Sequence, residues 1–188
     1  KQSKILTTRC RMQRKTINLK QFDVSTLNAW NHWFLLTAGD FSSGQYNSMT
    51  ISWGSFGVMW EKPFAQVVVR PSRYTYQFME KYPDFTLSAF PAGYEEALSL
   101  MGAVSGRDRD KIKEAELTPI GLPGSGAPAF AEAELIIKCR KIYYQDLDSA
   151  HFMADFIKDS YPAGDIHRVY YGEITGVECV DTLYRTLD

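Results

Sequence analysis

The strongest constraint on the fold is a series of at least six short β-strand-like runs that do not alternate regularly with helices. The runs are rich in β-branched, aliphatic and aromatic residues, and some show the two-residue alternation of a half-buried strand. A parallel sheet needs a helix between successive strands, and this chain lacks that rhythm. The pattern therefore predicts a mainly β fold with peripheral α-helices, built as an antiparallel barrel.

The expected elements fit one domain. A chain of 188 residues can form a single domain with a substantial core, which we place at residues 21–188. Strands are expected at 33–38, 47–53, 65–70, 85–90, 132–144 and 166–180, the last as a strand pair or one bent strand. Helices are expected at 25–30, 74–82, 95–104, 108–115 and 150–158. Residues 117–128, with three prolines and three glycines, are expected to be loop.

Charge is distributed unevenly along the chain. Residues 1–20 contain seven Lys or Arg and no Asp or Glu, which predicts a basic, solvated N-terminal tail. The remaining 14 basic and 22 acidic residues give residues 21–188 a formal charge of −8. An acidic body argues against nucleic acid as the main partner, although the basic tail leaves a minor contact with nucleic acid as an alternative. Neither a targeting peptide nor a membrane span is expected, because no suitable apolar run is present.

Several classes of site are disfavoured by the motifs that are missing. The three cysteines are widely spaced and form no CxxC pair, which argues against disulfides or zinc and suits a reducing cytoplasm. The three histidines share no metal-ligand spacing, so no metal site is expected. The sequence also lacks a phosphate-binding GxxxxGK[ST] loop, HExxH, GxSxG and a dinucleotide glycine fingerprint. If the protein is an enzyme, a bound cofactor is expected to supply the chemistry.

Segment 70–75 is a candidate anion site. Its sequence, Arg-Pro-Ser-Arg-Tyr-Thr, lies between a predicted strand and a predicted helix. The start of a helix presents unpaired backbone N–H groups, to which Arg70 and Arg73 add guanidiniums and Ser72 and Thr75 add hydroxyls. These donors suit a phosphate. The alternative is ordinary capping by Ser72 or Thr75, with both arginines in solvent.

Segment 47–53 is a second candidate because its side chains alternate in polarity. The two faces carry Ser48, Thr50 and Ser52 on one side and Met49, Ile51 and Trp53 on the other. The polar face and the backbone could contact the edge of a flat heterocycle. The alternative is a half-exposed barrel strand with no ligand.

Two further clusters have both a functional and a structural interpretation. In segment 105–111, Ser105 and Lys111 flank a turn in which Asp108 can cap the next helix, and the alternative is a solvated helix linker. In segment 164–174, His167 lies near the start of a predicted strand, where its imidazole could face a pocket. A lone histidine can equally be structural.

Taken together and in this order, the segments resemble the flavin reductase-like family with the FMN-binding split barrel, particularly its flavoredoxin branch. The resemblance runs from about residue 33 to residue 177. It rests on segments 47–53, 70–75, 105–111, 126–139 and 164–174, all in register. Many NAD(P)H-dependent members carry Gly-Asp-His, whereas here Ile166 separates Asp165 from His167.

The resemblance implies a six-stranded antiparallel Greek-key split barrel that forms a homodimer and holds FMN near the subunit interface. It implies an FMN-binding oxidoreductase that takes hydride from NAD(P)H and passes electrons to an acceptor. An FMN-binding electron carrier without nicotinamide turnover remains the alternative, and a cofactor-free interaction module is a third possibility. His167 matches the family's histidine near the nicotinamide or substrate side and is the candidate catalytic residue. The implied FMN contacts are Asn47, Ser48, Met49, Thr50, Ile51, Ser52, Trp53, Arg70, Ser72, Arg73, Tyr74, Thr75, Ser105 and Lys111.

Overall fold

The computed structural model describes residues 11–19, 22, 29–30 and 32–180. The strands are β1 (Lys15–Ile17), β2 (Phe34–Asp40), β3 (Gln45–Ile51), β4 (Gly54–Met59), β5 (Lys62–Val69), β6 (Asp84–Ala89), β7 (Pro119–Leu122), β8 (Ser125–Phe130), β9 (Leu135–Asp146) and β10 (Arg168–Cys179). The helices are α1 (Tyr74–Lys81), α2 (Glu95–Ala103), α3 (Lys111–Glu114) and α4 (Asp155–Asp159), with a 3₁₀ turn at Ser149–His151.

Eight of these strands form one antiparallel sheet in the order β3-β2-β6-β9-β10-β5-β4, with β1 paired to β10. Strands β3 and β4 lie at opposite ends of this order, yet only residues 52–53 separate them in sequence. The sheet must therefore curl until its two ends approach, which gives a barrel that is split between β3 and β4. The predicted class, an antiparallel split barrel with peripheral helices, is confirmed, with more strands than the expected six.

Strand β4 was absent from the sequence-based prediction. It pairs with β5 through a two-residue turn at Trp60 and Glu61, whose φ values are 52° and 59°. Positive φ at both central positions is typical of a type I′ hairpin turn, which usually contains Asn or Gly. A Trp-Glu turn gives no such signal, so the hairpin could not be recognised locally.

The prediction of a loop at 117–128 is wrong. Strands β7 and β8 form a separate hairpin, with Gly124 at φ +77° in its turn. Ala127, Ala129 and Phe130 are fully buried, and Thr86 on β6 donates to the Pro128 carbonyl at 2.6 Å. Packing against the barrel thus holds a proline- and glycine-rich stretch in extended form.

Three other predicted elements have different bounds. The helix expected at 108–115 is only α3, and its N-cap is Asp110, whose carboxylate accepts from Lys113 N, rather than Asp108. The helix expected at 150–158 divides into the 3₁₀ turn and α4. Strand β10 is one long strand, irregular near Tyr171 and Ile174, as the bent-strand alternative predicted.

Part of the expected basic tail belongs to the sheet. Strand β1 pairs with the end of β10, and Ile17 is buried in the core, so the described part of residues 1–20 differs from a solvated tail. The Arg14 guanidinium donates to the carbonyls of Ala131 and Ala133 at 2.9 and 2.7 Å. Residues 1–10 and 20 lie outside the described residues, as does the helix expected at 25–30 except for positions 29–30.

The core has two parts, one on each face of the sheet. Adjacent β2 residues show the division, because Leu36 packs inside the barrel and Leu35 packs outside it, beneath α2 and the β7–β8 hairpin. Both side chains are fully buried, and each such burial contributes roughly 1.5–3 kcal/mol. The outer cluster holds α2 through Leu98 and Met101, which fixes the end of α2 near β3. Within the described ranges, no helix combines the length and apolar character needed to cross a bilayer.

Candidate functional site

Segment 47–53 spans the end of β3 and the split in the barrel. Strand β3 ends at Ile51, so Ser52 and Trp53, which the sequence predicted to be part of the strand, lie in the link to β4. The Trp53 side chain is 48% exposed. Because β3 is an end strand of the sheet, this segment forms one lip of the split.

The side chains of this segment have different surroundings. Met49 and Ile51 belong to the barrel core. The Ser48 hydroxyl lies 2.8 Å from the Thr37 hydroxyl within the sheet, and Thr50 donates to the Leu98 carbonyl of α2 at 2.5 Å. The hydroxyls of Ser48 and Thr50 are therefore engaged with the protein.

Asn47 connects β3 to the other candidate segments. Its side-chain amide donates to Thr75 Oγ1 on α1 at 2.7 Å, and both residues are buried. Gly106, in the loop after α2, packs so closely that a Cβ there would lie 2.2 Å from Asn47 Oδ1. Three predicted segments thus meet at Asn47.

The start of α1 lacks the expected side-chain cap. The helix begins at Tyr74 with Arg73 as its N-cap residue, and no side chain of the described residues accepts a capping hydrogen bond there. Instead, Ser72 donates both its backbone N–H and its hydroxyl to the carboxylate of Asp165, at 3.0 and 2.5 Å. Asp165 therefore ties the loop before β10 to the loop before α1.

Two cations meet at the end of α2. Lys111, only 3% exposed, donates from Nζ to the carbonyls of Met101 and Val104 at 2.8 and 3.0 Å. Arg73 donates to the intervening Gly102 carbonyl at 2.5 Å. These carbonyls lie at the negative end of the helix dipole, which stabilises the two cations beside them.

Burial and neighbouring cations lower the proton affinities of this pair. Burial lowers the pKa of Lys111 to about 8, and the nearby Arg73 cation contributes in the same direction. Burial also lowers the pKa of Arg73, with a further contribution from Arg70 that exceeds the opposing effect of Asp165. The site therefore favours an additional negative charge.

A cavity of about 100 Å³ opens beside these cations. Among the described residues that line it, Arg73, Arg107 and Lys111 are positively charged and none is negatively charged. The lining residues are Asn47, Met49, Ser72, Arg73, Tyr74, Thr75, Ala103, Val104, Ser105, Arg107 and Lys111. A small cationic cavity rich in donors can accommodate an anionic group such as a phosphate.

Arg70 does not line this cavity. Its guanidinium donates to the Ser160 carbonyl at 2.8 Å and lies 5.0 Å from the centre of the Tyr161 ring. The two arginines of segment 70–75 therefore face different surroundings. Arg73 lies at the cavity, whereas Arg70 lies over the ring of Tyr161, which contacts His167.

His167 lies in an aromatic cluster next to the split. Its Nδ1 lies 2.8 Å from the Tyr161 hydroxyl, and its ring centre lies 5.2 Å from that of Trp53. Burial lowers the pKa of His167 to about 4, with Arg70 adding to the effect and Asp165 opposing it. The imidazole is therefore neutral at pH 7, which suits a hydrogen-bonding role and disfavours a role as a protonated acid.

The sequence model of the flavin reductase like domain matches residues 31–187, which is most of the chain. The chain belongs to this family. No curated protein sequence matches it significantly.

Solved structures of flavin-binding proteins share the fold of this flavin reductase-like chain. Flavoredoxin of Desulfovibrio vulgaris (Miyazaki F) has a TM-score of 0.62 and 23% identity, over 80% of this chain and 70% of that chain. An FMN-binding protein from Thermus thermophilus has a TM-score of 0.62 and 18% identity, over 80% and 73%. The NADH:FAD oxidoreductase of Streptomyces globisporus C-1027 has a TM-score of 0.60 and 18% identity, over 80% and 76%. At these identities the likeness shows a shared fold.

Two residues near the site of this family member were not among the sequence-based candidates. Arg107 lines the cavity, where it donates to the Ser72 carbonyl at 3.3 Å and stacks 5.0 Å from the centre of the Tyr74 ring. Tyr161 contacts His167. The charged run around Arg107 was visible in the sequence, but nothing local marked Tyr161.

Proposed function

We propose that this protein binds FMN and places the phosphate in the cavity between α1 and α2. One observation carries the proposal: Arg73 and Lys111 converge on the end of α2 beside a cavity whose described lining contains no carboxylate. Charge-assisted hydrogen bonds from these cations, with donors from Thr75 and the start of α1, suit a phosphate dianion. The FMN-binding relatives with the same fold support this assignment.

The remaining flavin contacts belong to the lip of the split. Ligand pockets commonly measure about 300–1,000 Å³, so a cavity of about 100 Å³ can hold only one end of FMN. Asn47 and Met49 line the cavity and begin the segment that continues to Trp53. We infer that the flavin ring lies along segment 47–53, mainly against its backbone, since Ser48 and Thr50 direct their hydroxyls into the protein.

The proposed activity is that of an FMN-dependent oxidoreductase with NAD(P)H as electron donor. Bound FMN would supply the hydride and electron transfer chemistry. The protein's own residues bind the phosphate, orient the ring and limit access of water. The neutral imidazole of His167 would orient the second substrate by hydrogen bonding. The NADH:FAD oxidoreductase relative supports this activity.

A second candidate function is an FMN-binding electron carrier without nicotinamide turnover. The contact between Trp53 and His167 favours it, because two rings 5.2 Å apart occupy space beside the proposed flavin position. The shared fold with flavoredoxins also agrees with this alternative. Phosphate binding is common to both candidates, so they differ only in whether a nicotinamide reaches the flavin.

We also propose that the protein acts as a homodimer in the cytoplasm. Large apolar side chains are exposed on the sheet surface: Val58 by 75%, Trp60 by 58% and Tyr143 by 44%. The ring centres of Trp60 and Tyr143 are 5.9 Å apart, so these two side chains are neighbours. Exposed apolar surface of this kind marks interaction sites, and a second copy could complete the small flavin cavity. The buried thiol of Cys139 forms no disulfide within the described part of the chain, which agrees with a reducing compartment.

The test is the visible spectrum of protein mixed with FMN and freed of excess ligand, followed by anaerobic titration with NADH and NADPH. The oxidoreductase proposal predicts retained flavin that either nucleotide bleaches. Retained flavin that only a chemical reductant bleaches would favour the electron carrier. Protein that retains no flavin would overturn both candidates.

A further inference from the structure

Tyr161 makes the only side-chain hydrogen bond to His167 among the described residues. The distance from Tyr161 Oη to His167 Nδ1 is 2.8 Å, and the rings meet edge to face with centres 5.5 Å apart. His167 is 9% exposed, so its ring has little freedom to turn away. A single short contact therefore determines how the imidazole presents its second nitrogen.

Tyr161 is itself held in place from two sides. The Phe152 ring stacks on it, with centres 5.7 Å apart and an interplanar angle of 21°. The Arg70 guanidinium lies over the ring and donates to the carbonyl of the preceding residue, Ser160. The position of the Tyr161 hydroxyl is thus fixed by contacts independent of His167.

The ordinary acid–base properties of the two groups indicate which partner donates. A phenol hydroxyl is a better hydrogen-bond donor than the N–H of a neutral imidazole, and the bare nitrogen of an imidazole is a better acceptor than a phenol oxygen. The hydroxyl therefore donates its proton to Nδ1, and the one proton of the neutral imidazole resides on Nε2.

Nε2 lies across the ring from Tyr161 and is available to a ligand. It has no hydrogen-bond partner in the described part of the chain. His167 keeps 9% of its surface exposed, so part of its ring reaches solvent. The exposed Trp53 ring lies beside the imidazole, which places this N–H next to the lip of the split.

We propose that Tyr161 is a positioning residue that fixes His167 as the Nε2–H tautomer, so that the imidazole offers a donor to a carbonyl or carboxylate oxygen of the flavin's redox partner. The use of this donor rests on the proposed function, whereas the tautomer does not. A substrate recognised in this way carries an acceptor oxygen near its reacting centre, as carboxamides, quinones and aldehydes do.

The test is ¹⁵N NMR of the histidine ring nitrogens in flavin-free protein at pH 7. The proposal predicts a protonated Nε2 and a bare Nδ1 for His167 in the wild type. In Tyr161→Phe the tautomers should mix, with at least about a tenfold loss of the Nε2–H preference. Tyr143→Phe, which removes an exposed tyrosine hydroxyl elsewhere, should leave the signals unchanged.

A protonated Nδ1 in the wild type would overturn the proposal even if Tyr161→Phe does not fold. An unchanged tautomer in folded Tyr161→Phe would also overturn it. With FMN present, the proposal predicts that Tyr161→Phe raises KM for the electron donor or acceptor about tenfold while FMN affinity stays constant. If the wild type binds no FMN, the proposed function fails and the NMR result still decides the role of Tyr161.

Discussion

Arg73 and Lys111 both donate to backbone carbonyls at the C-terminal end of α2. Arg73 donates to Gly102, and Lys111 donates to Met101 and Val104. Arg73 lies close enough to Lys111 to lower the pKa of the lysine, which is almost completely buried. Like charges held together in this way are stabilised by an anion between or beside them. The adjoining cavity provides the space for one.

FMN binding should take up protons above about pH 8. The pKa of Lys111 is about 8 in the free protein, because of burial and then Arg73, and a bound phosphate dianion would raise it. Between the two pKa values the complex holds more protons than the free protein, so affinity falls as pH rises above 8 and is nearly constant near pH 7. Calorimetry at about pH 8.5 in two buffers of different ionisation enthalpy measures this uptake.

Two lysine variants complete that experiment. Lys111→Met should abolish the proton uptake and weaken FMN binding, whereas Lys113→Met, an exposed neighbour on the same helix, should retain both. A wild type that binds FMN without proton uptake at this pH would contradict the placement of the phosphate beside Lys111.

Gly106→Ala should weaken FMN binding without exposing the core. The added Cβ would lie 2.2 Å from Asn47 Oδ1, so either the loop or the Asn47–Thr75 hydrogen bond must shift, at a cost of about 1–3 kcal/mol. We expect an affinity loss of about tenfold, measured by quenching of flavin fluorescence. Gly126→Ala is the control, because its nearest non-neighbouring atoms would be at 3.6 Å, an ordinary contact. Equal affinities for the two variants would disprove the role of this close approach.

Protonation of His167 should destabilise the protein in mild acid. Its pKa falls to about 4 in the folded state because of burial and then Arg70, against 6.5 for an ordinary histidine. The unfolded chain therefore binds more protons between these values, and stability is lost as pH falls from 6.5 toward 4. The contribution is about 2 kcal/mol between pH 7 and pH 5.

Urea denaturation at about pH 7 and pH 5 measures this effect. His167→Gln should lose less stability than the wild type over that interval, and the exposed His151→Gln should behave like the wild type. If His167→Gln and the wild type lose the same free energy of unfolding, the histidine is not buried in its neutral form as the structure indicates.

The sequence predicted the local elements around the candidate site. A strand, a proline and a helix start adjoin at segment 70–75, as expected. The alternation of segment 47–53 put Met49, Ile51 and Trp53 on one face; the first two pack in the core, whereas Trp53 is exposed. The barrel class followed from the number and spacing of the strands. The β7–β8 hairpin was missed because its extended form depends on packing against β6 rather than on its own residues.

The parts that escaped prediction join residues far apart in sequence. Ser72 and Asp165 are 93 positions apart, and no local signal indicates that a carboxylate rather than a ligand meets the Ser72 donors. Arg70 and Arg73 look equivalent in sequence, yet only tertiary structure directs one to Tyr161 and the other to α2. The burial of Lys111 likewise depends on how α2 packs on the barrel.

The most direct test of the account compares FMN with riboflavin, which lacks the phosphate, in binding to the wild type and two arginine variants. A phosphate held by Arg73 and Lys111 should make the wild type bind FMN at least about tenfold more tightly than riboflavin, since a charge-assisted hydrogen bond is worth about 1.5–3 kcal/mol. Arg73→Gln should remove this preference, whereas Arg109→Gln, which alters an exposed arginine paired with Glu114, should preserve it. Equal affinity of the wild type for the two flavins would contradict the central claim.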